Sequence, residues 1–335
     1  MALRSGSDVV TANKALVAAH GPELFDLADQ VGAQLYFEAA VGGAIPIIRP
    51  LRESLAGDKV NRVMGIVNGT TNFILDRMES TGADFADALQ EATDLGYAEA
   101  DPTADIEAFD AASKAAILAS LAFHSEVSVE SVYREGISSV TAMQIETARS
   151  AGYAVKLLAI CERVGEGIVA RVHPTLIPIE HPLAAVRGAY NAVFVEAESA
   201  GQLMFYGAGA GGTETASAIL GDLVSAAKRH LAGGPGLADS VHADLEVLPI
   251  QAIQTRYQIT LEVKDVPGVL ASVATDFAKH EVSVETVNQS ATPEVALLTI
   301  MTHRASEAAL EKIVQALRSN DSVRTVSSVI RVEGM

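Results

Sequence analysis

The chain has 335 residues, 49% of them hydrophobic and 20% charged, which is enough for two or three domains with substantial cores. A formal charge of −18 with no basic stripe argues against nucleic acid as a partner. One cysteine, no apolar stretch of membrane-span length, no signal-peptide layout and eight scattered histidines argue against disulfides, membrane insertion, secretion and a zinc site, and suit a cytoplasmic protein.

Asp8-Val9-Val10-Thr11 reads as a short strand, and Asn13-Lys14 starts a helix that continues from Pro22 to about Val31. A strand follows over 34–38. A first strand with no βα unit before it creates the expectation that the beginning of something larger is absent. Gly42-Gly43 and Pro46 mark a turn into a helix with Arg49, Arg52 and Glu53 on its polar side. Residues 60–67 alternate as a strand ending at Asn68-Gly69-Thr70-Thr71-Asn72, followed by a helix carrying Phe73, Ile74, Leu75 and Met78 and another over 85–95.

The densest chemistry lies in Gly96-Tyr97-Ala98-Glu99-Ala100-Asp101-Pro102-Thr103-Ala104-Asp105, running on to Asp110 and Lys114. Pro102 suits a first helical turn, with Asp101 as the N-cap, and the apolar run from Ala111 to Leu118 carries the helix inward. Asp110 and Lys114 stand four apart and share one helical face, with Glu99 and Asp105 bracketing its start. The pair alone also reads as a solvated surface ion pair; the surrounding acids and the scarcity of other basic residues favour a site.

Helices are expected over 111–122, 128–133 and 141–151, and strands over 154–162, 168–176 and 192–196, an α+β layout. Cys161 ends an apolar run and reads as a buried, inert thiol. Gly207, Gly209 and Gly212 satisfy G-x-G-x-x-G between a strand over 203–206 and a helix from about Glu214. No second strand follows to deliver an acid for a ribose hydroxyl. The loop is therefore either a tight packing turn or a place where backbone approaches a cofactor held mainly elsewhere. The clearest linker runs over 231–245. Beyond it, strand 257–263, helix 269–280, strands 282–289 and 295–302, helix 306–317 and strand 323–332 give a βαββαβ sandwich.

Several of these strings together resemble homoserine dehydrogenase of the monofunctional bacterial type with a C-terminal ACT domain. The matching pieces are Thr11-Ala12-Asn13-Lys14, Phe37-Glu38-Ala39-Ala40-Val41-Gly42-Gly43, Asn68-Gly69-Thr70-Thr71-Asn72, the acidic motif through Lys114, and Gly207-Ala208-Gly209-Ala210-Gly211-Gly212. The resemblance implies α/β plus α+β architecture. A truncated Rossmann-like NAD(P) domain would occupy 1–36, completed by 203–231, and a mixed α+β substrate and dimerisation domain 37–202. A linker over 232–254 would lead to an ACT regulatory domain over 255–335. The family's N-terminal strand and fingerprint would lie ahead of Thr11, so impaired dinucleotide affinity is expected.

The implied activity is reduction of L-aspartate 4-semialdehyde to L-homoserine with NADP or NAD, in threonine, methionine and isoleucine biosynthesis. Lys114 would be the catalytic lysine, with Lys14 touching cofactor and substrate and steadying a carboxylate or developing alkoxide. Glu99, Asp105 and Asp110 would bind substrate, and Thr11, Asn13, Lys14, Gly96 and Gly211 cofactor. Glu38, with the carbonyls of Val41, Gly43 and Ile45, would hold a monovalent cation, usually sodium. Asp265, Gly268 and Asn288 would bind an amino-acid effector, threonine in most of the family, with Asn288 reaching across an ACT–ACT interface. A homodimer or homotetramer is implied. Ala108 stands where the family has glycine, and Ala208 and Glu214 where proline is common. Two other readings compete: a catalytically impaired amino-acid-sensing and dimerisation protein, and a dehydrogenase of another amino-acid-derived aldehyde.

Overall fold

The structure, a computed structural model, describes residues 1–233, 242–291 and 296–334. In chain order the first elements are β1 (Val9–Val10), α1 (Lys14–Val31), β2 (Leu35–Tyr36), β3 (Val60–Ile66), α2 (Gly69–Thr81), α3 (Phe85–Asp94), α4 (Thr103–Ile106) and α5 (Phe109–Phe123). Then come β4 (Tyr133–Arg134), α6 (Ala142–Ser150), β5 (Tyr153–Val164), β6 (Gly167–Pro178), β7 (Tyr190–Ala197), β8 (Gly201–Ala208) and α7 (Gly212–Ala232). The C-terminal part holds β9 (Glu246–Val247), β10 (Gln254–Val263), α8 (Val269–Lys279), β11 (Val284–Ala291), β12 (Ala296–Thr302), β13 (Ala305–Ser306), α9 (Glu307–Arg318) and β14 (Val323–Val332).

β1 and β2 form a small parallel pair, Val9 facing Leu35. The other strands join one sheet in the order β11-β12-β10-β14-β6-β5-β3-β7-β8, with β4 and β9 on β6 and β13 on β10. β5 explains the layering. Its alternate residues Val155, Leu157, Ala159 and Cys161 enter the large core beneath α2 and α5. Ala154, Leu158 and Ile160 enter a second core under Leu183, Ala184 and Val186. Both faces are covered, so the strand reads as a nearly continuous apolar run. Lys156 falls on the second face and is fully buried, donating to the Val186 carbonyl at 2.7 Å.

The βαββαβ unit forms as expected, with its own core from Ile259, Leu261, Phe277, Leu310 and Leu317. Its attachment was not anticipated. β14 pairs in parallel with β6, Arg331 facing Thr175 and Val332 facing Leu176, so the two sheets are continuous. Glu333 accepts from Arg171 at 2.7 Å and from Arg62, and Arg171 also donates to Glu162 at 2.6 Å. Burial alone would raise the Glu333 carboxyl, but the two guanidiniums outweigh it and hold it at about 2.

Three expectations need correction. The expected helix after Asp101 is two: α4 is a single turn whose N-cap is Pro102 and not Asp101, and Ala108, at φ 62°, breaks it from α5. Residues 128–133 make only a short 3₁₀ turn, Val129–Ser131, before β4. The strand over 34–38 is limited to β2, because Glu38–Ala40 turns into a 3₁₀ segment. The linker expected over 231–245 lies largely outside the described residues, as does Val295 at the start of an expected strand.

Candidate active site

β3 leads into Val67 and Asn68, and Asn68 organises the start of α2. Its Oδ1 caps that helix, accepting from the Thr71 N–H at 2.9 Å. Its Nδ2 donates to Asp105 at 2.7 Å and to Asp110 at 3.0 Å. One side chain thus ties a strand end, a helix start and two acids. Sequence reasoning took Asn68 only as the end of a strand and missed both its cap and its long-range bonds.

Asp110 is 9% exposed and clamped between two ammonium groups, Lys14 at 2.8 Å on Oδ1 and Lys114 at 2.7 Å on Oδ2. Burial would raise its pKa, yet the charges and hydrogen bonds of Lys114 and Lys14 lower it to about 2. For Lys14, burial opposes the charge, while Asp110, then Asp105 and Glu99, overcome that and raise its pKa. Lys114 is 12% exposed, which rules out the solvated surface pair. Its Nζ donates to the Val67 carbonyl at 2.7 Å as well as to Asp110, leaving one of its three N–H groups for a ligand.

These groups line a cleft of about 580 Å³. Lys14, Lys114, Glu99, Asp105 and Asp110 share it with Gly96, Tyr97, Gly209, Ala210 and Gly211. Thr70 Oγ1 donates to the Tyr97 carbonyl at 2.7 Å and fixes the Gly96-Tyr97 turn to α2. The glycine-rich loop therefore faces the same space as the acids. Gly43, at φ 60°, lets two loops touch: a Cβ there would stand 2.4 Å from the Gly209 oxygen. The loop presents bare backbone at the N-terminus of α7, chemistry that suits a dinucleotide phosphate.

Thr11 and Asn13 are not among the residues lining the cleft. Asn13 caps α1 by accepting from the Leu16 N–H at 3.0 Å, and its own N–H donates to Thr11 Oγ1 at 3.1 Å. Their side chains set the direction of α1 and so the position of Lys14.

Glu38 is buried where α7 meets the segment after it. Its carboxylate accepts from the N–H groups of Ile47, Ile48 and Arg49 at 2.7, 2.8 and 3.1 Å. Burial, with Asp222 nearby, outweighs these bonds and raises its pKa. Arg49 answers both acids, at 2.5 Å from Asp222 and 3.7 Å from Glu38. Both oxygens of the Glu38 carboxylate are thus engaged by backbone N–H groups, with the Arg49 guanidinium beside them.

Asp265 and Gly268 lie on the exposed turn into α8. Asn288, on edge strand β11, lines a different cleft with Glu146, Tyr153, Arg256 and Gln258. Asp265 and Gly268 are not among the residues lining that cleft. Cys161 is buried, its thiol pushed up to about 12 by burial.

The fold and cleft define an enzyme of the oxidoreductase class, a mixed α/β catalytic core joined to an ACT domain. Residues 46–224 match the homoserine dehydrogenase family, and 257–321 match the ACT domain. The chain is 56% identical over 337 residues to a homoserine dehydrogenase of Corynebacterium glutamicum, spanning 99% of this chain and 76% of that protein. The crystal structure of a homoserine dehydrogenase from Thiobacillus denitrificans overlays with a TM-score of 0.94 at 42% identity, covering 99% of this chain and 77% of that one. A hyperthermophilic archaeal homoserine dehydrogenase mutant in complex with NADPH aligns with a TM-score of 0.60 at 34% identity, over 70% of this chain and 67% of that one. The chain belongs to the homoserine dehydrogenase family.

Proposed function

We propose that this chain interconverts L-aspartate 4-semialdehyde and L-homoserine with NADPH or NADH, in the cytoplasm, on the route to threonine, methionine and isoleucine. The observation that carries this reading is the Lys14–Asp110–Lys114 clamp facing a glycine-lined cleft. The bound dinucleotide supplies a hydride to the aldehyde carbon. Lys114 delivers the proton to the aldehyde oxygen through its remaining N–H, so the carbonyl π bond becomes C–H and O–H. Lys14 steadies the substrate carboxylate or the charge growing on oxygen. Glu99 and Asp105, with Asp110, hold the substrate ammonium. Gly96 and Gly211 offer backbone to the cofactor, while Thr11 and Asn13 aim Lys14.

A monovalent cation such as sodium at Glu38 and the carbonyls of Val41, Gly43 and Ile45 would brace the junction between β2 and α7. An amino-acid effector, threonine by the family's habit, would bind at Asp265 and Gly268, with Asn288 contributed from a second copy in a homodimer or homotetramer.

Lys114→Ala is the test: kcat for semialdehyde reduction should fall by about two to four powers of ten with dinucleotide affinity little changed. A variant with wild-type kcat removes Lys114 from the chemistry. The reading as an impaired sensor draws nothing from the comparisons; heat on titrating threonine without any turnover in the wild type would revive it.

A further inference from the structure

We infer that Arg134 and Glu135 form a two-sided link that positions Asp105 and Asp110 and ties them to the ACT domain. The inference rests on the proposed assignment of those acids to the substrate ammonium. β4 lies parallel on β6, Tyr133 facing Arg171, and the Glu135 N–H donates to the Val172 carbonyl at 2.7 Å. Successive side chains of an extended segment leave on opposite faces. Arg134 accordingly turns one way, and Tyr133 and Glu135 the other. Neither Arg134 nor Glu135 is among the residues lining the cleft, so both act through others.

On one face Arg134 holds the joint between α4 and α5. Its Nη1 donates to the Glu107 carbonyl at 3.3 Å, and its guanidinium lies 3.5 Å from the centre of the Phe109 ring. Those contacts flank Ala108, whose left-handed backbone sets the turn between Asp105 and Asp110. The residues that follow close the grip. Gly136 packs so tightly on the joint that a Cβ there would stand 2.4 Å from the Ile106 oxygen. The Ile137 N–H donates to that oxygen at 2.8 Å, and Ser138 Oγ donates to the Glu107 carboxylate. From the cleft side Asn68 bonds to both acids.

On the other face Glu135 accepts from Arg331 of β14 at 2.9 Å and from the Tyr133 hydroxyl at 2.5 Å. Arg331 Nε donates at 2.9 Å to Glu307, at the start of α9, and the same Glu307 oxygen accepts from the Tyr257 hydroxyl at 2.7 Å. Glu307 and Tyr257 are buried. Three elements of the ACT domain, β10, α9 and β14, therefore converge on one guanidinium, and Glu135 answers its charge from the catalytic side. Glu135 is 44% exposed and Arg134 is exposed too, so neither is needed to fill a core. Their value lies in what they join. A shift of β10 or α9 moves Arg331, Glu135 and the joint together, and the two acids then lose their fit to an ammonium.

Glu135→Ala, Arg134→Met and Arg134→Lys in the full chain test the link, by hydrogen exchange over residues 103–112 and by the kinetics of homoserine oxidation. Glu135 touches none of those residues, yet Glu135→Ala should speed their exchange about three- to tenfold. KM for homoserine should rise by a similar factor, with dinucleotide affinity and the thermal midpoint nearly unchanged. Arg134→Met should do the same, and combining it with Glu135→Ala should add little, since both act through one joint. Arg134→Lys, which keeps a cation over Phe109 and a donor for the Glu107 carbonyl, should restore most of the loss. Exchange and KM that stay at wild-type values in Glu135→Ala overturn the inference. So does an equal loss of homoserine and dinucleotide affinity with a lowered thermal midpoint, the mark of a merely structural role. Wild type that oxidises no homoserine removes the proposed function instead, and the exchange rates still decide whether the link holds.

Discussion

Asp110 shows how a single carboxylate fixes two amines at once. Its ionised form is held by Lys14 and Lys114, so its contribution to stability is full above about pH 4 and is lost as pH falls through about 2. Lys156 behaves in the opposite sense. Burial lowers its pKa to about 8, so between pH 8 and the ordinary lysine value the unfolded chain binds the extra proton and stability rises with pH. Lys156→Met should abolish that rise and stabilise the protein at pH 7 by about 1–3 kcal/mol, as urea unfolding at several pH values would reveal. Ala108 is a third case. Its left-handed backbone suits glycine, but its methyl is fully buried. Relief of strain worth about 1–2 kcal/mol is opposed by chain entropy and the lost methyl, so Ala108→Gly should be nearly neutral. Ala112→Gly, inside α5, should cost about 1–2 kcal/mol, and paired thermal melts would separate the two. The Lys114–Asp110 pair was legible because four residues make one helical turn. Arg134 was not, because nothing local marks a guanidinium whose carbonyl partner, Glu107, lies 27 residues behind it.

Among the elements, alternation spoke clearly where packing agreed with it, whereas the caps went unread. Asn68 caps α2, Asp84 caps α3, and Thr141 with Gln144 forms a full capping box on α6. The misread elements were those whose course is set by distant partners. β2 stops early because Glu38 turns inward to cap the segment at Ile47 and Ile48. The helix after Asp101 breaks because Glu107 and Ala108 must bring Asp110 back beneath Asn68. The junction of β14 with the catalytic sheet depends on Glu333, which neutralises two buried guanidiniums. Glu333→Gln should cost about 3–5 kcal/mol in chemical denaturation, since it leaves Arg62 and Arg171 short of charge in the interior.

At the scale of the whole molecule, the βαββαβ unit was readable from periodicity, but its fusion to the catalytic sheet was not. Two residue pairs between β14 and β6, and the ion network beside them, link sequence positions more than 150 apart. The catalytic core and the ACT domain should therefore lose structure in one calorimetric transition; two resolved peaks, with the smaller removed by deleting residues 255–335, would show them to be independent. Such joint unfolding has a chemical cost at Asn68. It is followed by Gly69, and an asparagine before glycine readily loses its amide in a loose chain, whereas here both amide atoms are bonded and the backbone enters a helix. Each melting episode exposes that bond to hydrolysis. A refolded chain bearing aspartate at 68 would set three carboxylates against one another where an amide had separated two. The protein would then age at its cleft before it aged in its fold.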